Sequence, residues 1–117
     1  MIFLVCGGRD FTDKAALDSA LDRLHAKVGI TKIIAGGACG ADRMATNWAW
    51  KHLIAWQEFA ADWDNDGHAA GIIRNQIMLE EGRPDGVVAF PGKKGTADMI
   101  RRARKAGLKV WEPLKER

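Results

Sequence analysis

Short apolar runs alternate with longer segments of helical periodicity along this chain, and that alternation restricts its fold more than any other feature. Ile2 to Cys6 (IFLVC) is an apolar run halted at Gly7-Gly8, the pattern of a buried strand. Thr12 or Asp13 can cap a helix that runs to about Val28, with Leu17, Leu21, Leu24 and Val28 on one face and Gly29 at its end. Lys32 to Ala35 (KIIA) is a second strand, ended by Gly36-Gly37, and a second helix covers about Ala41 to His52. Leu53 to Phe59 (LIAWQEF) is less purely apolar, so this third strand belongs nearer a sheet edge. Asp62 to Gly67 (DWDNDG) reads as a polar loop. The helix after it, about Ala69 to Glu81, should turn Ile73, Ile77 and Met78 inward until Gly82-Arg83-Pro84 breaks it. Gly86 to Phe90 (GVVAF) is a fourth strand, Thr96 to Ala106 a helix ending at Gly107, and Leu108 to Trp111 a fifth strand stopped by Pro113. Strands and helices in this order imply parallel βαβ units with right-handed crossovers. The expected fold class is α/β: a Rossmann-like, three-layer α/β/α fold with a mainly parallel five-stranded sheet. With no repeat or linker in sight, residues 1–117 are expected to form a single domain.

Composition narrows the function classes. With 47% hydrophobic residues the chain can bury a core, yet it has no apolar run of about 18 residues, so no transmembrane helix is expected. Its start, MIFLVCGGRDF, is too short and lacks the basic leader of a signal peptide. Cys6 and Cys39 form neither a disulfide framework nor a metal-site spacing. A reducing cytoplasm is therefore the expected location, with no metal and no cofactor. The net charge of +3 is mild, and much of it comes late, at Lys93, Lys94, Arg101, Arg102, Arg104, Lys105 and Lys109. That run is either a solvated helix face or an attractor for an anionic ligand or nucleic acid. Trp48 and Trp50 cannot share a helix face, so one belongs in the core and the other on the surface.

Three glycine-bearing corners follow strands: Gly7-Gly8-Arg9-Asp10, Gly36-Gly37-Ala38-Cys39-Gly40 and Pro91-Gly92-Lys93-Lys94-Gly95-Thr96. A parallel sheet gathers all strand C-termini on one edge, where ligands of open α/β sheets bind beside the reversal of strand order. Each following helix points its positive N-terminus at the same place. None of the corners is a Walker loop or a G-x-G-x-x-G fingerprint, so each taken alone is also a plain turn.

Polar residues that a turn does not require accompany them. Arg74, between Ile73 and Ile77 with Asn75 beside it, is either a helix-surface residue or a guanidinium that grips a phosphate. Asp42 is either a helix cap or an acceptor for ribose hydroxyls, a role open to Asp10 as well. Trp63 either stacks on a base or packs over the end of the third strand. His68 is a possible base or a solvated loop residue. Cys39 lies near a helix start, but no paired histidine pattern supports a nucleophile.

Four segments occur in an order that carries a resemblance: CGGRDF, GGACGADRMATNWA, ADWDNDGHAAGIIRNQIM and FPGKKGTADMI. Together they resemble the YspA/YpsA-related branch of the SLOG superfamily, over about Ile2 to Trp111. The resemblance implies a Rossmann-like fold that binds nucleotides or nucleotide-derived ligands. The superfamily includes the LOG (lonely guy) phosphoribohydrolases, the DNA-processing protein DprA and sensor domains for nucleotide signals. LOG enzymes carry a PGGxGTxxE loop, which Pro91, Gly92, Gly95 and Thr96 match, whereas Lys93 replaces the second glycine. Met99 stands where the motif has its glutamate, with Asp98 one residue earlier, about 100° away around a helix. Arg74 resembles in placement the arginine that works with that glutamate.

The expected function is binding of a nucleotide or ADP-ribose-like molecule at the C-terminal edge of the sheet, by a sensor or sequestering protein. The expected ligand-binding set is Gly7, Gly8, Arg9, Asp10, Gly36, Gly37, Ala38, Gly40, Asp42, Asp62, Trp63, Arg74, Asn75, Pro91, Gly92, Lys93, Lys94, Gly95 and Thr96. One alternative is a hydrolase of a nucleotide N-glycosidic or phosphoester bond, with Asp98, Asp62 or Asp10 as acid or base and Arg74 as partner. The other is a nucleic-acid-binding protein, by analogy with DprA, through Lys93, Lys94 and the Arg101 to Lys105 cluster. A homodimer or higher homo-oligomer is expected, and no membrane partner.

Overall fold

The computed structural model describes residues 1–115. Five parallel strands form one sheet in the order β3-β2-β1-β4-β5: β1 (Ile2–Cys6), β2 (Lys32–Ala35), β3 (Ala55–Glu58), β4 (Gly86–Ala89) and β5 (Lys109–Trp111). The chain lays β1, β2 and β3 outward in one direction, then returns to place β4 on the free side of β1. Strand order therefore reverses between β1 and β4, where Phe3 pairs with both Ile33 and Gly86.

Helices cover both faces, because the central strands are apolar on both sides. On one face α1 (Lys14–Val28) and α2 (Ala41–Lys51) pack Leu17, Leu21, Ala45 and Trp48 against Phe3, Val5, Ile33 and Val88. On the other, α4 (Ala70–Gly82) and α5 (Lys94–Lys105) pack Met78, Met99 and Ala103 against Leu4, Ile34, Val87 and Ala89. This is the expected α/β three-layer arrangement. Asp13 caps α1 by accepting from the Ala16 N–H, and β3 lies at the edge with every residue exposed. Trp48 is 2% exposed and Trp50 69%, as their spacing requires. No helix among the described residues is long and apolar enough to cross a membrane.

Four local expectations are corrected. The DWDNDG segment is not a loop: Trp63–Asp66 form a short helix, α3, continued by a 3-10 turn over Gly67–Ala69. The Asp62 carboxylate makes this possible by accepting from the Asn65 backbone and side-chain nitrogens at 3.2 and 2.8 Å. Ile73 and Ile77 do not face the core, because α4 turns Arg74, Asn75 and Met78 inward instead; only Met78 is buried as expected. Val28 is likewise exposed at the last turn of α1. Leu53 is not in a strand: it is 94% exposed and ends the turn after α2 at a φ of 57°.

Candidate functional site

The corners after β1 and β4 are neighbours because their strands are. Phe90 N–H donates to Cys6 O and Gly8 N–H to Pro91 O, each at 2.8 Å, so the two corners are stitched across the reversal of strand order. Ala41, the first residue of α2, donates to Gly8 O at 3.3 Å and ties the third element in. Above these corners opens a cleft of about 710 Å³. This is the volume and the position expected of a small-molecule site in an open parallel sheet.

Two glycines are required by close approach. A Cβ at Gly92 would collide with Thr96 Oγ1 and stand 2.8 Å from the Gly8 nitrogen. A Cβ at Gly36 would stand 2.5 Å from Arg74 Nη1 and 3.0 Å from Asp42 Oδ2. The first glycine lets the β4 corner close onto the start of α5. The second leaves room for a guanidinium and a carboxylate on either side of the β2 corner.

A polar chain runs through α4 and links the corners. Arg74 Nη1 donates to Gly36 O at 2.7 Å, and its Nε donates to Asn75 Oδ1 at 3.1 Å. Asn75, 4% exposed, donates Nδ2 to Gly95 O and to Asp98 Oδ2, both at 3.1 Å. Asp98 also accepts from Arg101 at 2.6 Å and Arg102 at 2.8 Å. Every buried side-chain polar atom among the described residues has a partner. Arg74 is therefore aimed by hydrogen bonds at both ends of its path and is not a loose surface residue.

The electrostatics of the cleft are mixed. At its β4 side α5 begins with no acidic residue in its first turn and no side-chain cap, so its leading N–H groups present positive potential to the corner, while Lys93 there pairs with Asp10 at 3.7 Å. Thr96 is buried in that first turn. Opposite stands Asp42, 6% exposed in the first turn of α2, with Oδ2 accepting from Ala38 N–H at 3.2 Å. Burial pushes its carboxyl up to about 6, against the backbone hydrogen bonds and the nearby Arg74 charge, which pull it down. Burial holds Arg74 below its ordinary value, although an arginine stays cationic. Burial and the Asp42 charge push the Cys6 thiol up to about 12, which leaves it protonated and inert at neutral pH.

The structure brings most of the expected residues together. Gly7, Gly8, Arg9, Asp10, Ala38, Asp42, Trp63, Arg74, Asn75, Pro91, Gly92, Lys93, Gly95 and Thr96 line the cleft. Gly36, Gly37, Gly40, Asp62, Lys94 and Asp98 do not. Gly36 and Gly40 lie directly behind the wall, against Arg74 and the Gly8 carbonyl, while Asp62 caps α3. Asp98 lies beneath Asn75, occupied by two arginines. Sequence reasoning missed Cys6, Phe11, Thr12, Asp13, Gly71 and Met78 as lining residues. Gly71 gave no signal of its own: it falls in the first turn of α4, where an added Cβ would make only ordinary contact with the Trp63 ring, at 3.7 Å.

Comparison with known proteins agrees with this reading of the fold. The profile of the YspA, cpYpsA-related SLOG family (YAcAr) matches residues 1–65. The chain is also similar to the Gene 61 protein of Mycobacterium phage D29, at 36% identity over 115 residues, spanning 92% of this chain and 91% of that protein. No solved structure matches.

Proposed function

We propose that this chain, which belongs to the YspA, cpYpsA-related SLOG family, binds a nucleotide-derived ligand of ADP-ribose type in the cleft between β1 and β4, as a sensor or sequestering protein. The observation that carries the reading is the convergence of an uncapped α5 N-terminus, a closed glycine corner and a fixed Arg74 on one cleft of about 710 Å³. Phosphates rest on the backbone of Gly92 to Thr96, where N–H groups and the helix dipole favour negative charge. Arg74 reaches them from α4. Asp10 accepts ribose hydroxyls, and Trp63, 53% exposed at the rim, stacks on the base.

Hydrolysis of such a ligand is the second reading, favoured by one observation: Asp10 and Asp42 are carboxylates in the cleft itself. It draws no support from Asp98, which is tied to Asn75, Arg101 and Arg102. A nucleic-acid surface draws less, since Arg101, Arg102 and Arg104 are held by Asp98, Gln76 and Glu112. The test is mass spectrometry of the purified protein, native and then denatured, followed by incubation with a panel of nucleotides. Recovery of an intact nucleotide-like molecule, or its tight rebinding without turnover, is the expected result. Release of free base or phosphate would replace binding by hydrolysis. An empty protein that takes up no member of the panel would refute both.

A further inference from the structure

Asp42 does more than the binding reading asks of it. It lies in the cleft wall at 6% exposure, held by backbone N–H groups of the β2 corner, with Oδ2 accepting from Ala38 N–H at 3.2 Å. Arg74 flanks the same small space over Gly36, yet directs its donors to Gly36 O and Asn75 Oδ1. The other titratable groups acting on Asp42 add negative or neutral character: Glu58 at the end of β3 and Cys6 at the end of β1. Among the described residues, α1 and β2, which also pack on α2, add none that bears on it.

On the premise that the cleft takes an anionic nucleotide-derived ligand, we propose that Asp42 is a charge gate: the anion enters beside Arg74 together with one proton, taken up by the Asp42 carboxyl. An anion on Arg74 offsets the positive charge that, after the Ala38 hydrogen bond, pulls the Asp42 value down, and places a second negative charge close by. Both effects favour the neutral acid. The same coupling acts in reverse, because linkage is reciprocal: a proton on Asp42 strengthens anion binding by the factor by which the anion strengthens proton binding. Burial pushes the free carboxyl up to about 6, so the gate operates near neutrality.

The sign follows directly. Below the free value Asp42 is already neutral and affinity is at its maximum. Between the free and the bound values each binding event must take up a proton, and affinity falls as pH rises. Above the bound value Asp42 stays ionised in both states and affinity is low and flat. Each unit by which the anion raises the Asp42 value corresponds to about a tenfold fall in affinity across this window.

The experiment is calorimetric titration with ADP-ribose, whose pyrophosphate keeps one charge state across the range, from about pH 5 to about pH 8, for the wild type and Asp42→Asn. Asparagine keeps the shape and the Ala38 acceptor but cannot ionise. The expected result is a fall of about tenfold or more for the wild type and a flat, tight profile for the variant, with net proton uptake seen as a buffer-dependent heat in the wild type only. Wild-type binding without a pH slope, or a slope that persists in Asp42→Asn, would overturn the gate while leaving the binding reading intact. No binding at any pH would overturn both. Melting curves of the two proteins control for folding. If the variant melts too early to titrate, the carboxyl signal of Asp42, followed by NMR with and without ADP-ribose, decides the matter. An upward move on binding is expected, and no move overturns the gate.

Discussion

Replacing Asp98 by alanine separates a structural carboxylate from a catalytic one. Asp98 is 5% exposed and holds α4 to α5 through Asn75, while bracing the last turns of α5 through Arg101 and Arg102. The three bonds are not equal. Arg101 keeps 71% of its side chain in solvent, so its pair contributes at most about 1 kcal/mol. Arg102 is 28% exposed and retains Gln76, and its charge-assisted bond is worth about 1–2 kcal/mol. Asn75 keeps Gly95 O but leaves one N–H partly unpaired in a buried place, at about 1 kcal/mol. The expected cost is about 2–4 kcal/mol, which lowers the melting temperature by roughly 8–16 °C for a chain of this size. Asp98→Asn should fall between, because it keeps the shape but loses the charge. The assay is calorimetric melting at neutral pH, run beside ligand binding or release of base from a nucleotide panel. If Asp98→Ala melts within about 2 °C of the wild type while turnover disappears, the carboxylate serves chemistry and the structural account is refuted.

Two further outcomes follow from single residues. Leu53, 94% exposed at a φ of 57°, carries strain that glycine does not, so Leu53→Gly should gain about 0.5–1 kcal/mol, read as a rise of roughly 2–4 °C in melting temperature. Cys39 is exposed and Cys6 is buried with its thiol pushed up to about 12, so a thiol reagent at mildly alkaline pH should label one cysteine in the native protein and a second only after denaturation.

The fold was legible because its signals are redundant. Every strand but the edge strand β3 carries both an apolar run and a glycine or proline soon after it, and either mark alone locates Ile2–Cys6 or Gly86–Ala89. The places where reading failed have single or conflicting signals. In GIIRNQIM the isoleucines point to one helix face and the polar pair to the opposite one, and apolarity alone chooses the isoleucines. The protein chooses Arg74 and Asn75, because their hydrogen bonds to Gly36, Gly95 and Asp98 need the inner face. In DWDNDG the polar composition conceals an Asx cap, an interaction between Asp62 and Asn65 that hydropathy does not register. The corners could be seen as a set. Which of their residues line the cleft and which stand behind it depends on strand order, and no single strand encodes that.

The displaced carboxylate is where sequence and structure inform each other most. The resemblance to the LOG loop left Asp98 as the nearest acid to a missing glutamate. One residue of displacement turns it under Asn75, into the company of two arginines from its own helix. The β4 corner thus keeps its glycines, Thr96 and the positive end of α5 with no acidic residue in that first turn. The cleft still has a buried carboxylate, but it comes from α2, across Gly36 from Arg74. Moving the negative charge from the phosphate corner to the opposite wall changes what the arginine does. A carboxylate behind the phosphate corner would repel the anion that the corner attracts. On the proposed reading, one across the cleft competes with that anion for Arg74, and because burial pushes its carboxyl up to about 6, pH decides the competition. On the proposed binding reading, removal of the Asp42 charge should slow release of the anion without slowing its capture, which stopped-flow binding of ADP-ribose to Asp42→Asn checks.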